Sequence, residues 1–175
     1  VKEIEAVYIA TDDERICCKC QELSLEYILT RKDHNTSTER LYETAQIIQA
    51  DLYICINGDE PLIDPDVIRA IIPSEIPRND FYVCNLMTAI KDPVEVVDFT
   101  NIKVVVDNEN NALFMSRSPI PYPKSTLNYK YYKHVGVLIY TLNALKFFSE
   151  TVKGYNEKIE DINELRFIEN GKKLT

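Results

Sequence analysis

Residues 52–61, Leu52-Tyr53-Ile54-Cys55-Ile56-Asn57-Gly58-Asp59-Glu60-Pro61, constrain the fold most: an apolar run stops abruptly at a glycine and two carboxylates. So uniform a run reads as a strand buried on both faces, as in the middle of a parallel sheet. In open α/β sheets ligands sit beyond the carboxyl ends of the strands, so the Gly58-Asp59-Glu60-Pro61 corner falls where chemistry is placed. Asp59 and Glu60 are candidate ligands for a hard cation. Mg²⁺ suits such a corner, because it needs only one or two protein carboxylates when substrate phosphates and waters complete its octahedron. The same tetrapeptide also makes an ordinary turn, with Asp64-Pro65 beyond it as an N-cap and a first helical proline. Taken alone, it supports either reading.

The flanking chain alternates strands and helices. Residues 6–10 read as a short buried strand, Thr11-Asp12-Asp13-Glu14 as a helix start, and residues 26–30 as a second strand, which makes an opening β-α-β unit. Thr36-Ser37-Thr38-Glu39 matches the capping-box pattern at the start of the next helix. Coming directly after Arg31-Lys32-Asp33-His34, that helix start also sets free amides and cations at the sheet edge, which is an anion site by geometry. A short helix is expected over 65–72, a strand over 81–87 and a hairpin over 101–116. Residues 117–123 hold three prolines and belong on a rim. A strand over 131–140 and helices over 142–150 and 158–169 complete the chain, the last presenting Ile159, Ile162, Leu165 and Phe167 or Ile168 inward. No internal repeat or low-complexity linker divides the 175 residues, so a single domain is expected.

Charge narrows the partners. A net charge of −8 excludes a surface built for nucleic acid or an anionic membrane, which would need a basic face. No apolar stretch is long enough to span a bilayer, so a soluble, cytoplasmic protein is expected. The five cysteines are odd in number and sit in apolar contexts without zinc-ligand spacing, which favours a reducing compartment.

The motifs then add up. Ala10-Thr11-Asp12, Thr30-Arg31-Lys32-Asp33-His34 leading to Thr38-Glu39-Arg40-Leu41, Gly58-Asp59-Glu60-Pro61, Lys103-Val104-Val105, Ser116-Arg117-Ser118-Pro119-Ile120-Pro121, Lys133-His134-Val135-Gly136 and Glu164-Leu165-Arg166 stand in the order found in the CMP-Kdo synthetases. The chain resembles that family, the 3-deoxy-manno-octulosonate cytidylyltransferases, over almost its whole length. The resemblance implies a three-layer α/β/α nucleotide-diphospho-sugar transferase fold with a mixed, mostly parallel sheet. It implies a reaction in which the anomeric hydroxyl of a sugar acid attacks the α-phosphorus of CTP, with Mg²⁺ between the reactants and pyrophosphate leaving. Such chemistry asks the protein mostly for positioning and charge stabilisation. Carried over by position, the resemblance makes Asp59 the Mg²⁺ ligand and a catalytic residue with Arg117. Arg31, Ser37, Asn57 and Asp59 would hold the nucleotide; Arg117, His134, Asn163 and Glu164 would face the sugar acid. A homodimer is implied too, with contacts around residues 122–132.

The departures from the family bear on substrate. Ser37 stands where glycine is usual, Asn57 where glutamine is, Leu138 where tyrosine is, and Asn163-Glu164 where Glu-Gln is. Most of these positions line the sugar side, so the nucleotide is expected to be CTP while the acceptor is Kdo or a related sugar acid. The chain begins without methionine close to its first strand and ends in Gly171-Lys172-Lys173-Leu174-Thr175. The family's glycine-rich phosphate loop and its C-terminal aspartate would lie outside these limits. A chain truncated at both ends is therefore expected, and with it the alternative of a truncated or degenerate domain that binds nucleotide or a partner without turnover.

Overall fold

In the computed structural model residues 1–77, 81–126 and 128–175 are described. The chain opens with β1 (Ile9–Thr11), α1 (Glu14–Glu22) and β2 (Tyr27–Leu29), and β1 pairs parallel with β2. Asp13 caps α1 through its carboxylate, which accepts from the Arg15 amide at 2.8 Å. Cys17 and Cys20 turn inward from α1 as small hydrophobes, as their spacing predicts. Next come α2 (Ser37–Ile47), β3 (Tyr53–Ile56), α3 (Pro65–Ile71), β4 (Val83–Ala89), α4 (Pro93–Val97), β5 (Lys103–Val106) and β6 (Ala112–Ser116). The chain closes with β7 (Tyr132–Tyr140), α5 (Leu142–Glu150), α6 (Tyr155–Glu160) and α7 (Leu165–Glu169). This is an α/β fold with mixed strand directions: β1 and β2 run parallel, while β7 is antiparallel to β3, β4 and β5.

The strand buried on both faces is β7, not β3. Residues Val137, Leu138, Ile139 and Tyr140 are all buried, because β7 lies between β3 and β4 and is covered above and below. Val137 and Ile139 pack with Ile71 on one face; Leu138 and Tyr140 pack with Phe148, Leu165 and Phe167 on the other. Phe167 sits among Tyr140, Phe147 and Phe148 at ring distances of 5.7 to 6.2 Å. Each such ring contributes about 1.5–3 kcal/mol by its burial alone. In β3, by contrast, burial fades from Tyr53 to Ile56, which is 38% exposed, and its pairing is with β7. An apolar run reports that a segment is buried, but not how many neighbours will cover it.

A second difference is at the last helix. The apolar spacing over 158–169 runs on without interruption, yet the structure breaks there into α6 and α7. Asp161 takes the left-handed conformation at φ 51°, a costly position for a non-glycine residue. Arg117 fixes the break: its Nε donates to the Glu160 carbonyl at 2.6 Å and its Nη2 to the Asp161 carbonyl at 3.0 Å, so it caps the C-terminal end of α6. Gly154 and Glu169 then bind the two helices together. The Glu169 carboxylate accepts from the Asn156 and Glu157 amides at 2.8 and 3.0 Å. A Cβ on Gly154 would lie 2.1 Å from that carboxylate, so this position needs glycine for space. The five-residue α4 was not anticipated. Its cap Asp92 and Pro93 give the local signal.

Candidate active site

The candidate residues gather at one end of the β3–β7 pair. Alternation along β3 carries Tyr53 and Cys55 to the face occupied by Leu138 and Tyr140, and continuing it brings Asn57 to the same side. The Asn57 amide donates to the Gly136 carbonyl at 3.4 Å. Both side chains lie against Gly136: a Cβ there would touch the Asn57 Nδ2 and a Glu60 carboxylate oxygen, each at 3.4 Å. Asn57 and Glu60 thus lean on β7, while Asp59 between them is exposed, with no hydrogen bond or ion pair to a described residue. The turn closes on itself through the Glu60 amide and Asn57 carbonyl at 3.1 Å. The corner is thus an ordinary turn that leaves Asp59 exposed.

His134 is oriented by a residue that the sequence reading passed over. The register of β4 against β7 shifts between Asn85 and Met87, which frees two β7 carbonyls from the ladder. The Asn85 Nδ2 takes both, donating to Val135 at 2.9 Å and Val137 at 3.1 Å. That fixes the amide, so its Oδ1 is the acceptor 2.7 Å from His134 Nδ1. His134 therefore carries a proton on Nδ1. The signal was a lone asparagine inside an apolar strand.

At the start of α2, Thr36 accepts from the Glu39 amide at 3.1 Å, and the Glu39 carboxylate reaches back to the Asn35 amide at 2.8 Å. The capping box is present with its second arm shifted by one residue. Ser37 opens the helix and hydrogen-bonds the Cys55 thiol. Burial pushes that thiol up to about 11; the Glu164 carboxylate adds to the rise and the Ser37 hydroxyl works against it. Tyr140 is held well above its usual value by burial and then by Glu164 and Cys55, with Thr38 opposing. Ser37, Thr38, Cys55, Tyr140 and Glu164 thus form one polar cluster where α2 meets β3, β7 and the start of α7.

Arg31 stands somewhat apart, 67% exposed, with its Nε 3.4 Å from Glu43 and 3.7 Å from Asp33. Glu43 also accepts from the Arg31 amide and pairs with His34. Burial raises the Glu43 pKa, but these partners outweigh it and hold the carboxyl below the usual range. Arg40 ties the same corner to β1 and β2, donating to the Thr30 hydroxyl and pairing with Asp12 at 3.2 Å.

Arg117 serves the backbone first. Besides capping α6, its Nη1 donates to the Phe99 carbonyl at 3.1 Å, so three of five guanidinium N–H groups are engaged and two remain. It thereby anchors the loop that carries Asn163 and Glu164. Among the described residues, no three His, Cys, Asp or Glu side chains are grouped to hold a metal by themselves.

Comparison with known proteins agrees with this geometry. A family described as cytidylyltransferase matches residues 1–174. A 3-deoxy-manno-octulosonate cytidylyltransferase of Solibacter usitatus is 36% identical over 172 residues, covering 98% of this chain and 68% of that protein. An 8-amino-3,8-dideoxy-manno-octulosonate cytidylyltransferase of Shewanella pealeana is 34% identical over 177 residues, covering 99% of this chain and 72% of the relative. A solved CMP:2-keto-3-deoxy-manno-octonic acid synthetase, complexed with CTP, superposes with a TM-score of 0.92 at 34% identity, over 99% of this chain and 72% of the other.

Proposed function

This chain belongs to the cytidylyltransferase family, and from that premise we infer that it couples CTP to an acidic sugar, releasing pyrophosphate and a CMP-sugar. It is a CTP-dependent nucleotidyltransferase whose relatives act on 3-deoxy-manno-octulosonate or its 8-amino counterpart. The near-complete superposition on a synthetase complexed with CTP carries the reading. The anomeric hydroxyl oxygen forms a bond to the α-phosphorus, the bond from that phosphorus to the bridging oxygen breaks, and the hydroxyl proton is released.

Residue roles follow as proposals. Asp59, exposed at the end of β3, would hold Mg²⁺, which when bound offsets the charge of the phosphates. Arg31, Ser37 and Asn57 would meet the nucleotide, with the start of α2 offering amides to anionic oxygen. His134, Asn163 and Glu164 would face the acceptor, and Arg117 would add its two remaining N–H groups to the acceptor's carboxylate. A homodimer suits the exposed apolar side chains Val94, Val97, Phe99 and Tyr122; of the expected contact stretch, 122–132, residue 127 lies outside the described residues. No helix among the described residues is long and apolar enough to cross a membrane. A cytoplasmic role in making an activated sugar for cell-surface polysaccharide is proposed from the family.

The test is pyrophosphate release by the purified protein with Mg²⁺, CTP and 3-deoxy-manno-octulosonate or other sugar acids. Release dependent on CTP and acceptor supports the reading. A rise in melting temperature with Mg²⁺ and CTP, without release for any acid, would instead favour a nucleotide-binding domain.

A further inference from the structure

Glu164 is a buried candidate residue whose chemistry the described residues leave unanswered. It is only 7% exposed, it begins α7, and no described residue donates a hydrogen bond to its carboxylate. Among the described residues it makes no ion pair: it acts on the Cys55 thiol and the Tyr140 hydroxyl, and Tyr140 is hydrogen-bonded to Thr38. Arg166, two residues on, is committed to Glu157 and to the Phe148 carbonyl. Yet the carboxylate is not sealed in. Among the described residues no side-chain polar atom without a partner is closed off from solvent, so its oxygens retain contact with solvent.

A largely buried carboxylate without a donor is costly, and structures retain one where a ligand supplies the missing hydrogens. An ionised carboxylate can only accept. A hydroxyl answers it with one hydrogen; an ammonium answers it with up to three and with the opposite charge, in a site where water is largely excluded. We propose that Glu164 receives an ammonium group of the acceptor, so that the preferred substrate is an amino sugar acid rather than the corresponding hydroxyl compound. This rests on the cytidylyltransferase reading and narrows its acceptor. Asn163 beside it, half-buried and held through its carbonyl by the Arg166 amide at 3.0 Å, places the pair on the capped loop where a one-residue drift would misalign the contact.

Two acceptors separate the possibilities, 3-deoxy-manno-octulosonate and 8-amino-3,8-dideoxy-manno-octulosonate, which differ by a hydroxyl or an amine at one carbon. Pyrophosphate release is measured with Mg²⁺ and CTP at neutral pH for each. The expected result is a kcat/KM higher for the amine by about ten- to a hundredfold, the scale of one hydrogen bond to a charged group. E164Q should pull that ratio toward one, chiefly through the KM for the amine, and E164D, which keeps the charge, should retain part of the preference. Equal efficiency in the wild-type protein overturns the proposal while leaving the cytidylyltransferase reading in place. A uniform loss with both acceptors in E164Q, together with a fallen melting temperature, would assign Glu164 to structure and overturn it as well. No release with any sugar acid removes both readings.

Discussion

Arg166 and Glu164 lie two residues apart on one helix start and meet opposite fates. Arg166 is buried with Glu157 in a pair closed by bonds of 2.5 and 2.8 Å, and its guanidinium stacks 3.7 Å over Phe148. Its Nη1 also donates to the Phe148 carbonyl at 2.6 Å and the Thr151 carbonyl at 3.3 Å, so four of its five N–H groups are engaged. Glu164, 7% exposed, has no donor at all among the described residues. The contrast extends outward. Around Arg166 the α5, α6 and α7 segments are tied together by side chains, Arg166 to Glu157 and the Phe148 and Thr151 carbonyls and Glu169 to the Asn156 and Glu157 amides, whereas Asp59 and Glu164 have no such partner among the described residues. Partnered polar groups hold this fold together; on the proposed reading the unpartnered ones meet a ligand.

The hardest test of that division removes Arg166. Arg166→Ala leaves Glu157 buried and unpaired, and loss of one partner of a buried pair costs about 3–5 kcal/mol. Urea unfolding should show a drop of that size. If stability held and activity fell instead, the line drawn between lock and site would be wrong. Asp59→Asn is the mirror experiment. Activity should fall by about 10²- to 10³-fold, the scale of one preorganised electrostatic contact, with the unfolding midpoint unchanged because Asp59 is exposed and supports nothing. A matching loss of stability would make Asp59 a turn residue after all.

Arg117 tests the border between the two regions, since it belongs to both. Arg117→Ala frees the Glu160 and Asp161 carbonyls and the loop beyond them, so a stability loss of about 1–3 kcal/mol is expected. On the proposed role, the KM for the sugar acid should also rise much more than that for CTP. Equal changes in both would leave Arg117 as the α6 cap alone.

How much of this could be read beforehand follows from the range of the forces involved. The extent of α5 matches residues 142–150, and the caps at Thr36 and Asp64 were legible, because each depends on residues a few positions apart. The break at Asp161 was not, because its cause, Arg117, lies 44 residues away and the apolar spacing across it is unbroken. The placement of β3 beside β7 alone and the Nδ1 proton of His134 are also non-local, the second set by Asn85 from 49 residues off. The turn at Asp59 was legible, since Gly58 and Pro61 after an apolar run are turn residues. What the sequence could not convey was which carboxylates would find partners. Glu157 and Glu164 look alike in a string of letters, and only packing separates them.

Glu43 offers the finest discrimination, because it lies at the candidate nucleotide corner yet is partnered like a lock residue. Its carboxyl is half-buried and held below the ordinary value of 4.5 by His34 and by the Arg31 amide and side chain, which together outweigh the cost of its burial. A carboxyl depressed in the folded state stabilises the protein above its unfolded pKa, and that stability is lost as the pH falls through the lower, folded value. Urea unfolding at neutral pH and at steps below pH 4.5 should therefore show a steeper acid loss in the wild type than in Glu43→Gln, whose side chain does not titrate. The difference should be the smallest of the set, because Asp13, Asp98, Asp107 and Glu169 are depressed as well and carry acid sensitivity of their own. If the variant kept the full acid slope, Glu43 would be spending none of its interaction on the fold. It would then join Glu164 as a group held open for the substrate, and the boundary between lock and site would run through α2 rather than beneath it.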